Sequence, residues 1–190
     1  MDEAIKTRLA KFIPVEKIFL NPFWVPKKGK KLSMSQAKKS LGIPKSDFVL
    51  LYFGFITHYK GADWIIKTVK ELRKQRQFKK LHLVLAGGEA YSLKDKAYYQ
   101  KYYHALLESI KNEPNIQITG FVPEQKITNY FQAADLTVFP YRGLIGGSGA
   151  LMHALAYKKP FVVSRKMQEI LFGKQAQAAI SKSGLKTKDI

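Results

Sequence analysis

The chain has no cysteine, and its 14 acidic residues stand against 33 lysines and arginines. Without cysteine there is no disulfide framework, no thiolate metal site and no cysteine nucleophile. No apolar run approaches the roughly 20 residues that a bilayer-spanning helix needs. The opening residues, Met1-Asp2-Glu3-Ala4-Ile5-Lys6, lack the basic head and apolar stretch of a secretory signal. These absences favour a cytoplasmic location. The shortage of acid leaves a formal charge of +19. Such a field suits a solvated lysine surface, an anionic membrane surface or a nucleic acid. There is no arginine-rich arm, zinc-ligand spacing or RNA-type aromatic motif, so nucleic acid is the weakest of these. Peripheral attachment at the inner membrane surface is the intermediate reading.

What is present is a globular composition. Hydrophobic residues make up 46% of 190 residues, enough for one well-packed core and too few for two full domains. Residues 2–12 read as an amphipathic helix with Ile5, Leu9 and Phe12 on one face, and residues 17–20 as a brief strand. Ser33 or Ser35 then caps a short helix that Gly42 and Pro44 stop. From residue 47 the pattern alternates. The continuous apolar run at 48–53 reads as a strand buried on both faces, and further strands are expected at 81–86, 115–119, 136–139 and 160–164. Helices are expected at 62–77, with Trp64, Ile65, Val69 and Leu72 inward, at 95–111, from Pro123 to about 134, and at 148–157. Residues 166–190 are weakly patterned, with a possible helix at 176–180. Strands alternating with helices imply a doubly wound, Rossmann-like parallel α/β sheet, in which ligands sit at the carboxyl ends of the strands.

Those ends are rich in glycine. The first strand leads to Gly54-Phe55 and Lys60, the second to Gly87-Gly88-Glu89, and the third to Gly120-Phe121-Val122. The fourth leads through Arg142 to Gly146-Gly147-Ser148-Gly149 and then directly to a helix. Free amides and the helix dipole at such a junction suit a phosphate, and Ser148 is placed to cap the helix or to donate to the anion. An ordinary strand-to-helix turn uses glycine too. Taken together, four glycine-bearing loops with the cations Lys60 and Arg142 describe a nucleotide diphosphate site. For each cation a solvated role stays open, as it does for Glu89. His153 is either packed or a partner for a ribose hydroxyl.

In order and spacing, Phe53-Gly54-Phe55-Ile56 with Tyr59-Lys60-Gly61, Leu83-Val84-Leu85-Ala86-Gly87 and Ile118-Thr119-Gly120-Phe121-Val122-Pro123 resemble the retaining group 1 (family 4) glycosyltransferases of the GT-B fold. So do Tyr130-Phe131-Gln132-Ala133-Ala134-Asp135-Leu136, Ser148-Gly149 and Lys159-Pro160-Phe161-Val162-Val163. The likeness covers roughly residues 18–164 and is to the carboxyl-terminal, donor-binding domain, one half of a GT-B enzyme. It implies a UDP-, GDP- or ADP-sugar donor, no cofactor and no metal. Lys60 would hold the diphosphate, Gly147, Ser148 and Gly149 would meet phosphate, and Gly120 to Val122 would pack on the base. The chain departs from the family pattern at Phe55, where an arginine is usual, and at Ile145 and His153, where many members carry glutamates; Arg142 is the candidate substitute cation. Residues 1–26 then read as an interdomain connector, 27–165 as the nucleotide-sugar domain and 166–190 as an incomplete tail. Turnover is expected to need an acceptor-binding amino-terminal domain or a partner chain. A nucleotide-binding module without turnover is the alternative.

Overall fold

A computed structural model of the chain describes residues 3–19, 29, 32–143 and 148–171. Five strands form one parallel sheet: β1 (Phe48–Phe53), β2 (Leu81–Ala86), β3 (Ile116–Ile118), β4 (Leu136–Phe139) and β5 (Phe161–Val163). Their spatial order is β3-β2-β1-β4-β5. The order reverses beside β1, so the loops leaving β1 and β4 part there and open a crevice.

The sheet forms because each long strand has something apolar to bury on both sides. Along β1, Val49 and Leu51 join one hydrophobic cluster, while Leu50 and Tyr52 join the other. Helices α3 (Ala62–Lys74) and α4 (Ala97–Ile110) cover the second face through Ile65, Ile66, Val69 and Leu106. Helices α2 (Met34–Ser40), α5 (Glu124–Ala133), α6 (Gly149–Ala156) and α7 (Arg165–Leu171) accompany the first face, where Phe131, Leu151, Ala154 and Met167 pack. The doubly wound α/β reading therefore holds. Among the described residues no helix is long and apolar enough to cross a membrane.

Several expected details change. The amphipathic helix at the start is α1 (Glu3–Leu9), shorter than expected, and Phe12 lies 85% exposed beyond it. The expected strand at 17–20 is instead a 3-10 turn, Val15–Lys17, with no strand at Ile18 or Phe19. Ile18 and Phe19 have no strand to pair with among the described residues and so hold no ladder. Leu20 and the possible helix at 176–180 lie outside the described residues. Pro123 is the residue that precedes α5, one position before the helix proper. Ser33, of the two candidates, caps α2: its Oγ accepts from the Gln36 amide at 3.2 Å, and Gln36 Oε1 accepts from the Ser33 amide at 2.9 Å. Helix α7 was not expected; Met167, buried, stands within it.

At the edge where β1 and β4 begin, Lys38 is 4% exposed and sits 2.7 Å from Asp135 Oδ2. It also donates to the Asp47 carbonyl at 2.7 Å, while Asp135 Oδ2 accepts from the Val49 amide at 2.8 Å. One buried ion pair thus ties α2 to β1 and β4, at the end of the sheet remote from the glycine loops.

Candidate functional site

The loops that leave β1, β2 and β3 approach closely enough to exclude side chains. A Cβ on Gly87 would stand 1.9 Å from the Gly54 carbonyl oxygen, and one on Gly88 would stand 3.0 Å from Gly120 Cα. Gly54 itself has φ +111°, where an L residue is strained, and its missing Cβ would stand 3.0 Å from Lys60 Nζ. Buried tyrosines fix the same loops from below. Tyr52 donates to the Phe55 carbonyl at 3.1 Å. Tyr99 accepts from the Ala90 amide at 2.7 Å and donates to the Ile56 carbonyl at 2.8 Å.

Between these loops and α6 lies a cavity of about 540 Å³. Eight of the expected site residues line it: Gly54, Phe55, Lys60, Gly87, Phe121, Val122, Gly149 and His153. Gly120 backs it through Gly88. Gly147 lies outside the described residues. Glu89 is directed elsewhere, accepting from Gln100 Nε2 at 2.7 Å. Arg142 also does not line the cavity; its guanidinium meets Asp63 instead. Glu124 and Ile127 line the cavity and were missed. Their spacing of three on one helix, directly after Pro123, was the signal that would have placed them beside Val122.

Lys60 sits in the 3-10 turn His58–Lys60 that follows β1. Its Nζ lies 5.9 and 6.0 Å from the ring centroids of Tyr141 and Tyr59, and burial lowers its pKa below the ordinary lysine value. Among the described residues no carboxylate pairs with it. A partly desolvated ammonium held only against aromatic rings is an incomplete electrostatic arrangement, which an anion in the cavity would complete.

The amino end of α6 faces the same space. Ser148 caps it, its Oγ accepting from the Leu151 amide at 3.3 Å, which leaves the hydroxyl proton able to donate. Among the described residues nothing accepts from the amides of Gly149 and Ala150, both of which line the cavity. His153, one turn further on, stacks on Phe131 with centroids 5.4 Å apart and meets Phe53 edge-on. Its Nδ1 is buried without a partner among the described residues, and burial lowers its pKa, which keeps the ring neutral near pH 7. Among the described residues no three His, Asp or Glu side chains converge as a metal site would require.

Trp64, expected inward, is 50% exposed. Its ring is covered on one side by the Arg142 guanidinium, whose carbon stands 4.0 Å from the centroid. A contact between residues so far apart in sequence leaves no trace in helical periodicity.

This fold, a five-stranded parallel α/β sheet with a cavity at the reversal of strand order, is Rossmann-like, as in the GT-B proteins it resembles. Residues 47–183 match the family described as glycosyl transferases group 1, and the chain belongs to that family. It is 29% identical over 107 residues to D-inositol 3-phosphate glycosyltransferase of Corynebacterium aurimucosum, covering 55% of this chain and 24% of that protein. It therefore spans about a quarter of that relative's length. Alr3699/HepE of Anabaena, solved in complex with UDP-glucose, superposes with a TM-score of 0.55 at 19% identity, over 80% of this chain and 42% of that one. The carboxyl-terminal domain of the group 1 glycosyl transferase LpcC of Francisella tularensis gives a TM-score of 0.51 at 16% identity, over 83% of this chain and 86% of that one. At these identities the structural likeness is one of fold.

Proposed function

We propose that the cavity binds the nucleoside diphosphate part of a sugar donor and that the chain is the donor-binding domain of a retaining, family 4 glycosyltransferase. The observation that carries this reading is the partly buried Lys60 facing the same cavity as the amides of Gly149 and Ala150, all three without a hydrogen-bond or ionic partner among the described residues. Membership of the group 1 family supports it, as does the UDP-glucose held by the structurally similar Anabaena protein. The diphosphate lies between Lys60 and the start of α6. Phe121, Val122 and Ile127 offer an apolar seat for the base, and neutral His153 is placed to hydrogen-bond a hydroxyl of the donor.

In the transfer step, negative charge grows on the departing diphosphate. Lys60 and the helix-end amides are already oriented to meet it, so little reorganisation is needed as the bond breaks. The chemistry proposed uses no metal and no cofactor. An amino-terminal domain or a partner chain supplies the acceptor site, and the 190-residue chain alone transfers no sugar. The working location is the cytoplasm, with the basic surface suited to the inner face of a membrane.

Calorimetric titration with UDP, GDP and ADP tests the reading. Saturable binding that prefers one base, weakened about tenfold or more by Lys60→Ala, is expected for a charge-assisted contact. No binding up to millimolar nucleotide, or full binding by the variant, would overturn it. Phe55 at the cavity and the neutral His153 favour a second reading, a nucleotide-binding module without turnover. That reading gains if Lys60→Ala abolishes nucleotide binding but leaves the biological activity of the full assembly intact.

A further inference from the structure

Arg142 stands at the mouth of the glycine-rich loop, where a cation invites assignment to the diphosphate. Its surroundings point elsewhere. Nη1 donates to Asp63 Oδ1 at 2.9 Å and Nη2 to Asp63 Oδ2 at 2.5 Å, a bidentate pair. Nη1 also donates to the His58 carbonyl, and the Arg142 amide donates to the Tyr59 carbonyl at 2.7 Å. The Trp64 ring covers one face of the guanidinium. Asp63 is held from the other side by the Tyr102 hydroxyl, which donates to Oδ1 at 3.1 Å. Swinging the guanidinium into the cavity would break these bonds and leave a partly buried carboxylate without its counter-charge.

Every residue that Arg142 grips belongs to the 3-10 turn His58–Lys60 or to the first turn of α3. That short segment carries Lys60. Pro140, two residues before Arg142, braces it as well: a Cβ on Gly61 would lie 2.0 Å from the Pro140 carbonyl oxygen. The exit of β4 therefore clasps the exit of β1 across the crevice at which the strand order reverses.

We propose that Arg142 is a positioning residue: through Asp63 and the His58 carbonyl it fixes the turn that presents Lys60, and it does not itself touch the donor. This rests on the donor-binding reading above, from which it can be separated. The guanidinium fork is needed for two carboxylate oxygens, a carbonyl and a stacked ring at once, so lysine cannot replace it.

The two roles predict opposite results for Asp63→Asn. If Arg142 were a diphosphate ligand, loss of the Asp63 charge would release it and remove a nearby anion, leaving binding unchanged or tighter. As a positioning residue it loses its anchor, and binding weakens. The experiment is calorimetric titration of UDP, GDP and ADP into the wild-type chain, Asp63→Asn, Arg142→Lys and Lys60→Ala, and into Asp63→Asn combined with Lys60→Ala. Alongside it, the NMR signals of ¹³C-dimethylated lysines follow the environment of Lys60 without any ligand.

Asp63→Asn and Arg142→Lys should each weaken the preferred nucleotide about tenfold, yet Asp63→Asn should cost nothing further once Lys60 is alanine. The Lys60 signal should titrate below the ordinary lysine value in the wild type and move back toward it in both variants, while that of Lys159, also lowered by burial, stays where it is. A variant that only loosened the fold would lower affinity in the Lys60→Ala background too. Unchanged or tighter binding by Asp63→Asn, or near-full binding by Arg142→Lys, would overturn the positioning role while leaving the donor site standing. A wild-type chain that bound none of the three nucleotides would remove the donor reading and the positioning role with it.

Discussion

Gly61→Ala is the most economical test of how the site is built. Gly61 has φ +74°, and the missing Cβ would lie 2.0 Å from the Pro140 carbonyl oxygen and 3.0 Å from its carbon. Two costs are therefore expected. A side chain in the left-handed region costs about 1–2 kcal/mol. Forcing two backbones apart where nothing flexible can yield resembles overpacking, at about 1–3 kcal/mol. The sum, about 2–5 kcal/mol, corresponds to a fall in melting temperature of roughly 5–20 °C at this chain length. Gly42→Ala is the internal control. Its φ is +70°, yet no atom lies within 4 Å of the position its Cβ would take. It should therefore pay only the conformational cost. Thermal and urea unfolding of both variants give the difference. In Gly61→Ala the displaced turn should also carry Lys60 away from the cavity and weaken nucleotide binding, whereas Gly42→Ala should bind as the wild type does. Equal destabilisation by the two substitutions would refute the close contact between the exits of β1 and β4.

Two further predictions concern charge. Lys38→Met strips the nearly buried Asp135 carboxylate of its 2.7 Å partner and should cost about 3–5 kcal/mol in urea unfolding. Adding Asp135→Leu should restore much of that loss, and a cost below about 1 kcal/mol for Lys38→Met would show that the pair matters little. The pKa of His153 is lowered by burial from its ordinary 6.5, so the unfolded chain takes up its proton first as pH falls. The wild type should accordingly lose stability relative to His153→Phe as pH drops below 6.5 toward the lower folded value. Parallel stability profiles for the two proteins from neutral pH down to pH 5 would count against a buried, neutral ring.

The strands were readable because β1 is a continuous apolar run and β2 and β4 are nearly so, broken only by His82 and Thr137, a pattern that a sheet covered on both faces imposes. Glycine directly after β1 and β2 was equally plain, and the 1.9 Å that a Cβ on Gly87 would leave to the Gly54 carbonyl oxygen shows why it is needed. Polar partnerships were what one-dimensional reading could not supply. Arg142 looked like an anion ligand because its partner, Asp63, lies on a different element and only the folded sheet brings them together. Trp64 fitted the inward stripe of α3 for the same reason: what covers its ring is that distant guanidinium. Glu89 was read as either a carboxylate near the site or a solvated one and accepts from Gln100, whereas Glu124, one residue past Pro123, lines the cavity. Helix α7 escaped notice because it is only seven residues long, too short for the spacing of Met167, Ile170 and Leu171 to repeat.

The most direct test of the central claim is an amide NMR titration of the chain with UDP, GDP and ADP. Shifts should concentrate at Gly54, Phe55, Lys60, Gly87, Gly88, Val122, Gly149, Ala150 and His153, the residues that line the cavity. The basic stretch at residues 67–80 should stay still, although its lysines and arginines attract any anion. Perturbation confined to that stretch, with Gly149 and Ala150 unmoved, would mean that the +19 charge and not the cavity binds the nucleotide, and the donor-site account would fall.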